Sequence, residues 1–485
     1  MAVVTRRWAV VTKRWHWDRP PGGVLAAAFF LSVALSILLA TPPLVIGAGL
    51  AAAVLLLVFG LLEPRVLLAA LIFAVPFSRL AKVDLGHFSV SAADLLVALV
   101  AARWLIEGLA SRRLVVWFGP SLVGATLFFA SALLSSLFAE DFQASLAELI
   151  KLAEMIVVAL YATTHLDDRA TAVFVMQALV LAGAAESLVA IFQTVTASGP
   201  ASFALGSFVR AYGDFDQPNV LGGYLALTLP FGLILCTQRS RSRPVMAIAT
   251  GLIALALGAT LSRGAWLGAL VSLGFIAWLW SQQTRRALMV AVAALALFGG
   301  LAMSGLAPAA ISDRLTVLTE NFVVFDARTV DVTPINFSLI ERMAHWQAGW
   351  AMGMDHPIVG VGPGNFEEMY SHYFLPGWPL ALGHAHNIYI NTFAEQGAIG
   401  LLSLLLFLGV VFRRALDFLS LDQSESDTAR LSLLAAFGAL VAFSVHNVFD
   451  NMFVHGIGIE LGLLLGLVEA GRVMASRELE LANRD

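Results

Sequence analysis

Cysteine and charge are both scarce in this sequence. One cysteine, Cys236, in 485 residues excludes an internal disulfide and any thiolate metal cluster. A small apolar helix residue is its ordinary reading. Only 13% of the residues are charged, against about 25% in a soluble domain, and 59% are hydrophobic. The mean hydropathy is +0.83. A nucleic-acid-binding or soluble enzyme class is excluded on that balance, and a polytopic membrane protein is indicated. The formal net charge of −4 carries little weight, because placement of charge matters more than its sum in such a chain. There is no internal repeat and no low-complexity tract beyond the Ala/Leu-rich spans. The glycines of VGVGPGNF, 359–366, follow no strand and precede no GK[ST], so they make no phosphate loop; they predict a tight turn with positive φ. His372, His384 and His386 lack the spacing of a zinc helix such as H-E-x-x-H, so no metal is expected.

What is abundant is apolar sequence in blocks of roughly 20 residues, the length that crosses a bilayer. Candidates lie near 24–40, 43–62, 66–80, 92–107, 119–138, 145–164, 172–196, 219–237, 245–261, 264–281, 287–305, 387–411, 430–450 and 455–473. The 66–80 block is short enough to be re-entrant, so the expected architecture is all-α with about 12–14 transmembrane helices. The basic, aromatic stretch 1–23 reads as a cytoplasmic arm, and Arg6-Arg7 as part of it rather than a twin-arginine signal. With that arm inside, the chain threads with most lysines and arginines in cytoplasmic segments. The exceptions outside are Arg79, Lys82, Arg210, Arg263, Arg314, Arg328 and Arg342, and Lys151 lies within a span. The expected layout is an arm at 1–23, helices at 24–305, a large periplasmic loop at 306–386 with a short helix at 338–354, three last helices at 387–473, and a cytoplasmic tail at 474–485.

Polar groups gather at the outer ends of these spans. RAYGDFDQPNVLGGY, 210–224, offers Arg210, Asp214, Asp216 and Asn219; Asp216 reads equally as a helix cap. LSRGAW, 261–266, places Arg263 between two apolar helices, where it either serves a site or snorkels to the interface. ERMAHWQAGW, 341–350, carries Arg342 on an amphipathic helix. HAHN, 384–387, opens the span 387–411, where free N–H groups suit an anion and a neutral imidazole can take a proton; an interfacial cap is the plainer reading of His386. HNVFDNMFVH, 446–455, is another polar end, read as a wet interhelical turn. Glu148, Lys151 and Glu154 share one helix face as an ion cluster, either structural or with Lys151 facing a lipid phosphate. Glu395 needs an interior partner, with Lys151 a candidate, and reads as structural.

HN-x9-GxxG, spanned by His386-Asn387, Gly397 and Gly400, resembles the signature of the O-antigen ligase family. GDFDQPNVLGGY, LSRGAW and RMAHWQAG…HPIVGVGPGNF resemble that family in the same order, together covering roughly 210–402. The superfamily includes O-antigen polymerases and protein O-oligosaccharyltransferases. The resemblance implies a glycosyltransferase-C-like membrane fold in the bacterial inner membrane with a periplasmic active site; the alternation of basic residues places both termini in the cytoplasm. It implies a glycan donor on undecaprenyl pyrophosphate and a hydroxyl acceptor, lipid A–core in ligases or another lipid-linked glycan in polymerases, with no cofactor. His386, Arg263 and Arg342 match the family's catalytic positions, and Arg210 matches more loosely as a substrate contact. Asp216, Asn219, His384, Asn387 and Lys151 are taken as further substrate contacts. The sequence departs from the family in its span count, which exceeds the usual twelve, and in its basic arm. A membrane transporter is the competing class; Lys151 and Glu395 are its best support, and the lack of a repeat counts against it. A non-catalytic scaffold binding lipid-linked glycan is a third.

Overall fold

The computed structural model describes residues 63–79, 82–85, 88–112, 116, 118–166, 168–206, 208–303, 325–333, 336–419, 428–454 and 456–482. The expected arm, the spans 24–40 and 43–62, and Arg314 lie outside the described residues. The chain divides into two units, Met1–Leu67 and Leu68–Asp485, and nearly all described residues belong to the second. Among them are fourteen α-helices: α1 (Pro64–Ala74), α2 (Ala92–Ala110), α3 (Pro120–Ser136), α4 (Phe142–His165), α5 (Arg169–Val195), α6 (Pro218–Thr237), α7 (Arg243–Ala259), α8 (Arg263–Trp280), α9 (Gln282–Met303), α10 (Phe337–Asp355), α11 (Phe366–Met369), α12 (Ile388–Leu419), α13 (Thr428–His446) and α14 (Ile457–Ala482). Two small antiparallel hairpins interrupt the helices: β1 (Lys82–Leu85) with β2 (Phe88–Ser91), and β3 (Ala204–Leu205) with β4 (Phe208–Val209). Both sit in connections between apolar helices, so the chain is an all-α polytopic membrane protein.

Five of the described helices are long and apolar enough to cross a bilayer by length and composition: α5, α6, α8, α12 and α13. Three apolar helices, α1, α3 and α7, are shorter. The helix starts follow local chemistry. Ser91 and Asp94 form a reciprocal capping box on α2, and Asp141 and Asp168 cap α4 and α5 through their carboxylates. Proline at the first turn opens α3, α6 and α7, where its missing N–H costs nothing. Two buried ionic groups finish helix ends from a distance. Glu469 accepts from Ser121 N–H at the start of α3, and Arg430 donates to the carbonyls of Leu279 and Trp280 at the end of α8.

Small residues let the helices approach closely, as expected where lipid supplies no hydrophobic drive. Gly466 of α14 sits against Ala162 of α4, and Gly268 of α8 sits against the Ala442 carbonyl of α13. In this way α14 packs on α4, while α13 packs on α6 and α8. The span expected at 387–411 departs most from its sequence reading. Helix α12 is two helices merged across a break at Gly397, whose φ of 62° is left-handed. Loop 356–365 lies in the break: Val361 and Gly362 N–H donate to the carbonyls of Ala394 and Glu395, and Ala398 N–H donates to that of Pro357. Gly360, Gly362 and Gly364 take positive φ, which is the tight turn expected of VGVGPGNF. Glu395 takes its interior partner there, accepting from Phe366 N–H at 3.2 Å.

Candidate functional site

The ends of α6, α8, α12 and α13 that carry polar motifs meet at one end of the bundle. Two stretches about sixty residues apart in sequence are stitched together there. Ile388 N–H donates to the Asn447 carbonyl at 2.9 Å, and the Asn387 amide donates to the Val448 carbonyl at 2.9 Å. The Asn387 side-chain oxygen accepts from Tyr389 and Ile390 N–H, capping α12. Both polar atoms of Asn387 are thus taken up by the fold. His386 stands in the left-handed region at φ 51°, and its carbonyl accepts from Trp346 Nε1 of α10 at 3.2 Å. A non-glycine residue in that region is costly unless its surroundings hold it, and such positions cluster at functional sites.

The stitching places Asp450 beneath two histidines. Its Oδ1 lies 3.5 Å from His386 Nδ1 and 3.8 Å from His384 Nε2, and its side chain is only 4% exposed. Burial pushes the Asp450 carboxyl up, but contact with His386 and the charges of His384, His386 and His446 outweigh it, so it stays well below the usual carboxylate range. Burial, with His386 beside it, drives His384 down to about 4 against the pull of Asp450. His384 Nδ1 accepts from His386 N–H at 3.0 Å, so the neutral ring carries its proton on Nε2, facing Asp450. His386 Nδ1 faces the carboxylate across 3.5 Å, and a proton held there by the negative charge leaves His386 Nε2 with the lone pair.

His384, His386 and Asp450 lie close enough together to hold a metal ion. The proton placement argues against that use, because His384 Nε2, protonated while Nδ1 accepts the His386 N–H, has no lone pair to offer a cation.

Three arginines flank this group. Arg210 donates through Nε to the Thr260 carbonyl at 2.8 Å and through Nη2 to Asn219 Oδ1 at 3.1 Å. Asn219 therefore positions Arg210. Burial lowers the Arg210 pKa, and the charges of Arg342 and Arg263 lower it further. Burial also lowers that of Arg342, with Arg263 adding to the fall and Asp450 and Glu341 opposing it. These mutual effects bring the three guanidiniums into one field, and arginine stays charged in it regardless. Neither Arg263 nor Arg342 has an ion pair or side-chain hydrogen bond among the described residues. Unpaired guanidiniums converging beside a histidine suit a phosphate-bearing ligand.

Two further expected contacts are each ion-paired within the protein. Asp216 is ion-paired to Arg79 and sits at φ 61° just before α6, whose N-cap is Gln217; the reading of Asp216 as the cap is corrected. Lys151 is ion-paired to Glu148 at 2.5 Å, away from the arginines. Sequence reasoning gave no site role to four neighbours. Asp450 is one. His446 is buried between Gly223 and Gly264. His345 stacks on Tyr370 with its ring centroid 5.5 Å from that of His386. Glu341 is raised by burial and lowered by His386 and Arg342. The available signal was the polar run HNVFD, which reads as an interhelical turn until its distant partner is known.

Residues 248–405 match the family model described as O-Antigen ligase. The matched stretch holds Arg263, Arg342, His384, His386 and Asn387, while Arg210, His446 and Asp450 lie outside it. No curated protein matches the chain. The match supports membership of the O-antigen ligase and polymerase superfamily, and hence a glycosyltransferase-like membrane enzyme.

Proposed function

We propose that this O-antigen ligase-like chain transfers a glycan from undecaprenyl pyrophosphate to a hydroxyl of lipid A–core at the periplasmic face of the inner membrane. The observation that carries the reading is the convergence of Arg210, Arg263 and Arg342 beside the His386–Asp450 contact. The acceptor oxygen attacks the anomeric carbon, and the bond from that carbon to the pyrophosphate oxygen breaks. His386 Nε2 takes the hydroxyl proton, a role worth about 10²–10⁴-fold in rate. Asp450 holds the ring and stabilises the imidazolium that forms. Arg263 and Arg342, with Arg210 held by Asn219, bind the pyrophosphate and offset its growing charge. One displacement inverts the anomeric centre. The three guanidiniums supply the positive charge that the leaving group needs, so a metal ion is not required.

The test is reconstitution with undecaprenyl-pyrophosphate-linked glycan and EDTA, with and without lipid A–core. The expected result is glycan on lipid A–core, lost in His386→Ala and Arg342→Ala. Longer lipid-linked chains without lipid A–core would instead make the enzyme a polymerase of the same superfamily. An intact donor left unused in both mixtures would refute the transferase reading.

A further inference from the structure

A polar recess lies on the other flank of the His386–Asp450 contact. Its walls come from α3, α4, the first turns of α12 and residues 451–453, and it is open to solvent on one side. Ile388 and Asn451 line it, two residues from His386 and one from Asp450, so the recess and the proton-accepting pair share a wall. Arg263 and the Arg210–Asn219 pair stand on the opposite flank. Helix α13 packs on α6 and α8, at whose starts Asn219 and Arg263 lie; α14 packs on α4, whose Glu148 and Lys151 line the recess. Residues 447–456, with Asp450 among them, cross from one flank to the other.

The charge in the recess is wrong for phosphate. Lys151, the cation among its described lining residues, has its charge offset by Glu148 at 2.5 Å and keeps its other ammonium hydrogens to donate, and Glu395 adds a second carboxylate to the lining. The other open groups are neutral. The Thr392 hydroxyl, 4% exposed as a residue, and the amide nitrogens of Gln396 and Asn451 have no hydrogen-bond partner among the described residues. The rings of Phe128 and Phe453, 6.2 Å apart, give the same space an apolar side. Few polar groups converging in a concave, partly aromatic space is the composition of a ligand site. Here it matches a neutral ring carrying several hydroxyls.

We infer that this recess is the subsite for a neutral sugar ring of the acceptor, an inference that rests on the transferase reading above. In a single displacement, the attacking hydroxyl and the leaving pyrophosphate occupy opposite sides of the anomeric carbon. With Arg210 and Arg263 on one flank of His386, the acceptor enters from the other, where the recess lies. Thr392, Gln396 and Lys151 then hold the ring next to the one whose hydroxyl is activated, and Glu148 orients Lys151.

The experiment compares wild type, Thr392→Val and Lys151→Met in the reconstituted reaction, with acceptor concentration varied. Affinity for undecaprenyl pyrophosphate alone is measured separately by titration. Both variants are expected to raise the acceptor KM on the order of tenfold, the effect of losing about 1.4 kcal/mol of hydrogen bonding. Their kcat and pyrophosphate affinity stay near wild type. Thr392→Val preserves shape and guards against misfolding, which retained pyrophosphate binding also reports. An unchanged acceptor KM in Thr392→Val, or a matching loss of pyrophosphate affinity, overturns the subsite. Failure of the wild-type protein to transfer glycan to lipid A–core or to a second lipid-linked glycan defeats the transferase reading instead, and the subsite falls with it.

Discussion

Asp450 has the placement to decide which nitrogen of His386 can work. A carboxylate facing Nδ1 draws the ring proton there and leaves Nε2 free to accept one. An asparagine at this position offers either an amide N–H or a carbonyl, so it no longer enforces that tautomer. Asp450→Asn is expected to lower kcat by about 10²–10⁴-fold while pyrophosphate affinity holds. Equal loss of both in steady-state kinetics and titration would reduce Asp450 to a packing role. His384 makes a separate prediction about stability. Its folded pKa is about 4 against an ordinary 6.5, so between those values the unfolded chain binds a proton that the folded one refuses. Stability therefore falls as pH drops from about 6.5 towards 4. Replacing the group with His384→Gln should flatten that part of the curve, as read by thermal unfolding in detergent across this range; an unchanged slope would place the titration elsewhere.

The break in α12 is the element on which the site hangs. It lets loop 356–365 lie alongside the chain at Ala394–Ile399, and the same half-helix presents His386 at its mouth. Gly397 cannot carry a side chain there, since its φ is 62° and a Cβ would run into the Ile358 carbonyl. Gly397→Ala is expected to cost about 3 kcal/mol or more and to show as a depressed Tm in detergent. Gly409 lies in the same helix with nothing near its missing Cβ, so Gly409→Ala should be neutral or stabilising by up to about 1 kcal/mol. Equal behaviour of the two variants would mean the break is not a feature of the folded protein. Apolar length made α6, α7 and α8 legible in the sequence to within a few residues, and the amphipathic run 338–354 did the same for α10. The break was not legible, because Glu395, Gln396 and Gly397 sit in a run whose mean hydropathy still reads as one span. Only the backbone groups donated by a loop some forty residues earlier make opening that helix affordable.

At the scale of the whole molecule, the site exists because alternate helix ends collect on one side. Arg263 and His386 were legible because each interrupts an apolar run, and Arg342 because it lies in the long outer segment. Asp450 was not, because its meaning depends on a partner sixty residues away across the bundle. The alternation that gathers these ends makes a prediction about sidedness. The single cysteine, Cys236, is partly exposed and lies eighteen residues along α6 from Pro218, about 27 Å at 1.5 Å per residue. That length separates it from the site by most of a bilayer. Ala201 is exposed and lies on the site's side, since Arg210 N–H donates to the carbonyl of nearby Phe203. If the site faces outwards, a membrane-impermeant maleimide added to intact spheroplasts should label Ala201→Cys in a Cys236→Ser background. The native Cys236 should label only after the membrane is opened. The reverse pattern would turn the site towards the cytoplasm, where the proposed donor is not expected. Labelling of both positions from one side would mean that α6 does not cross the membrane.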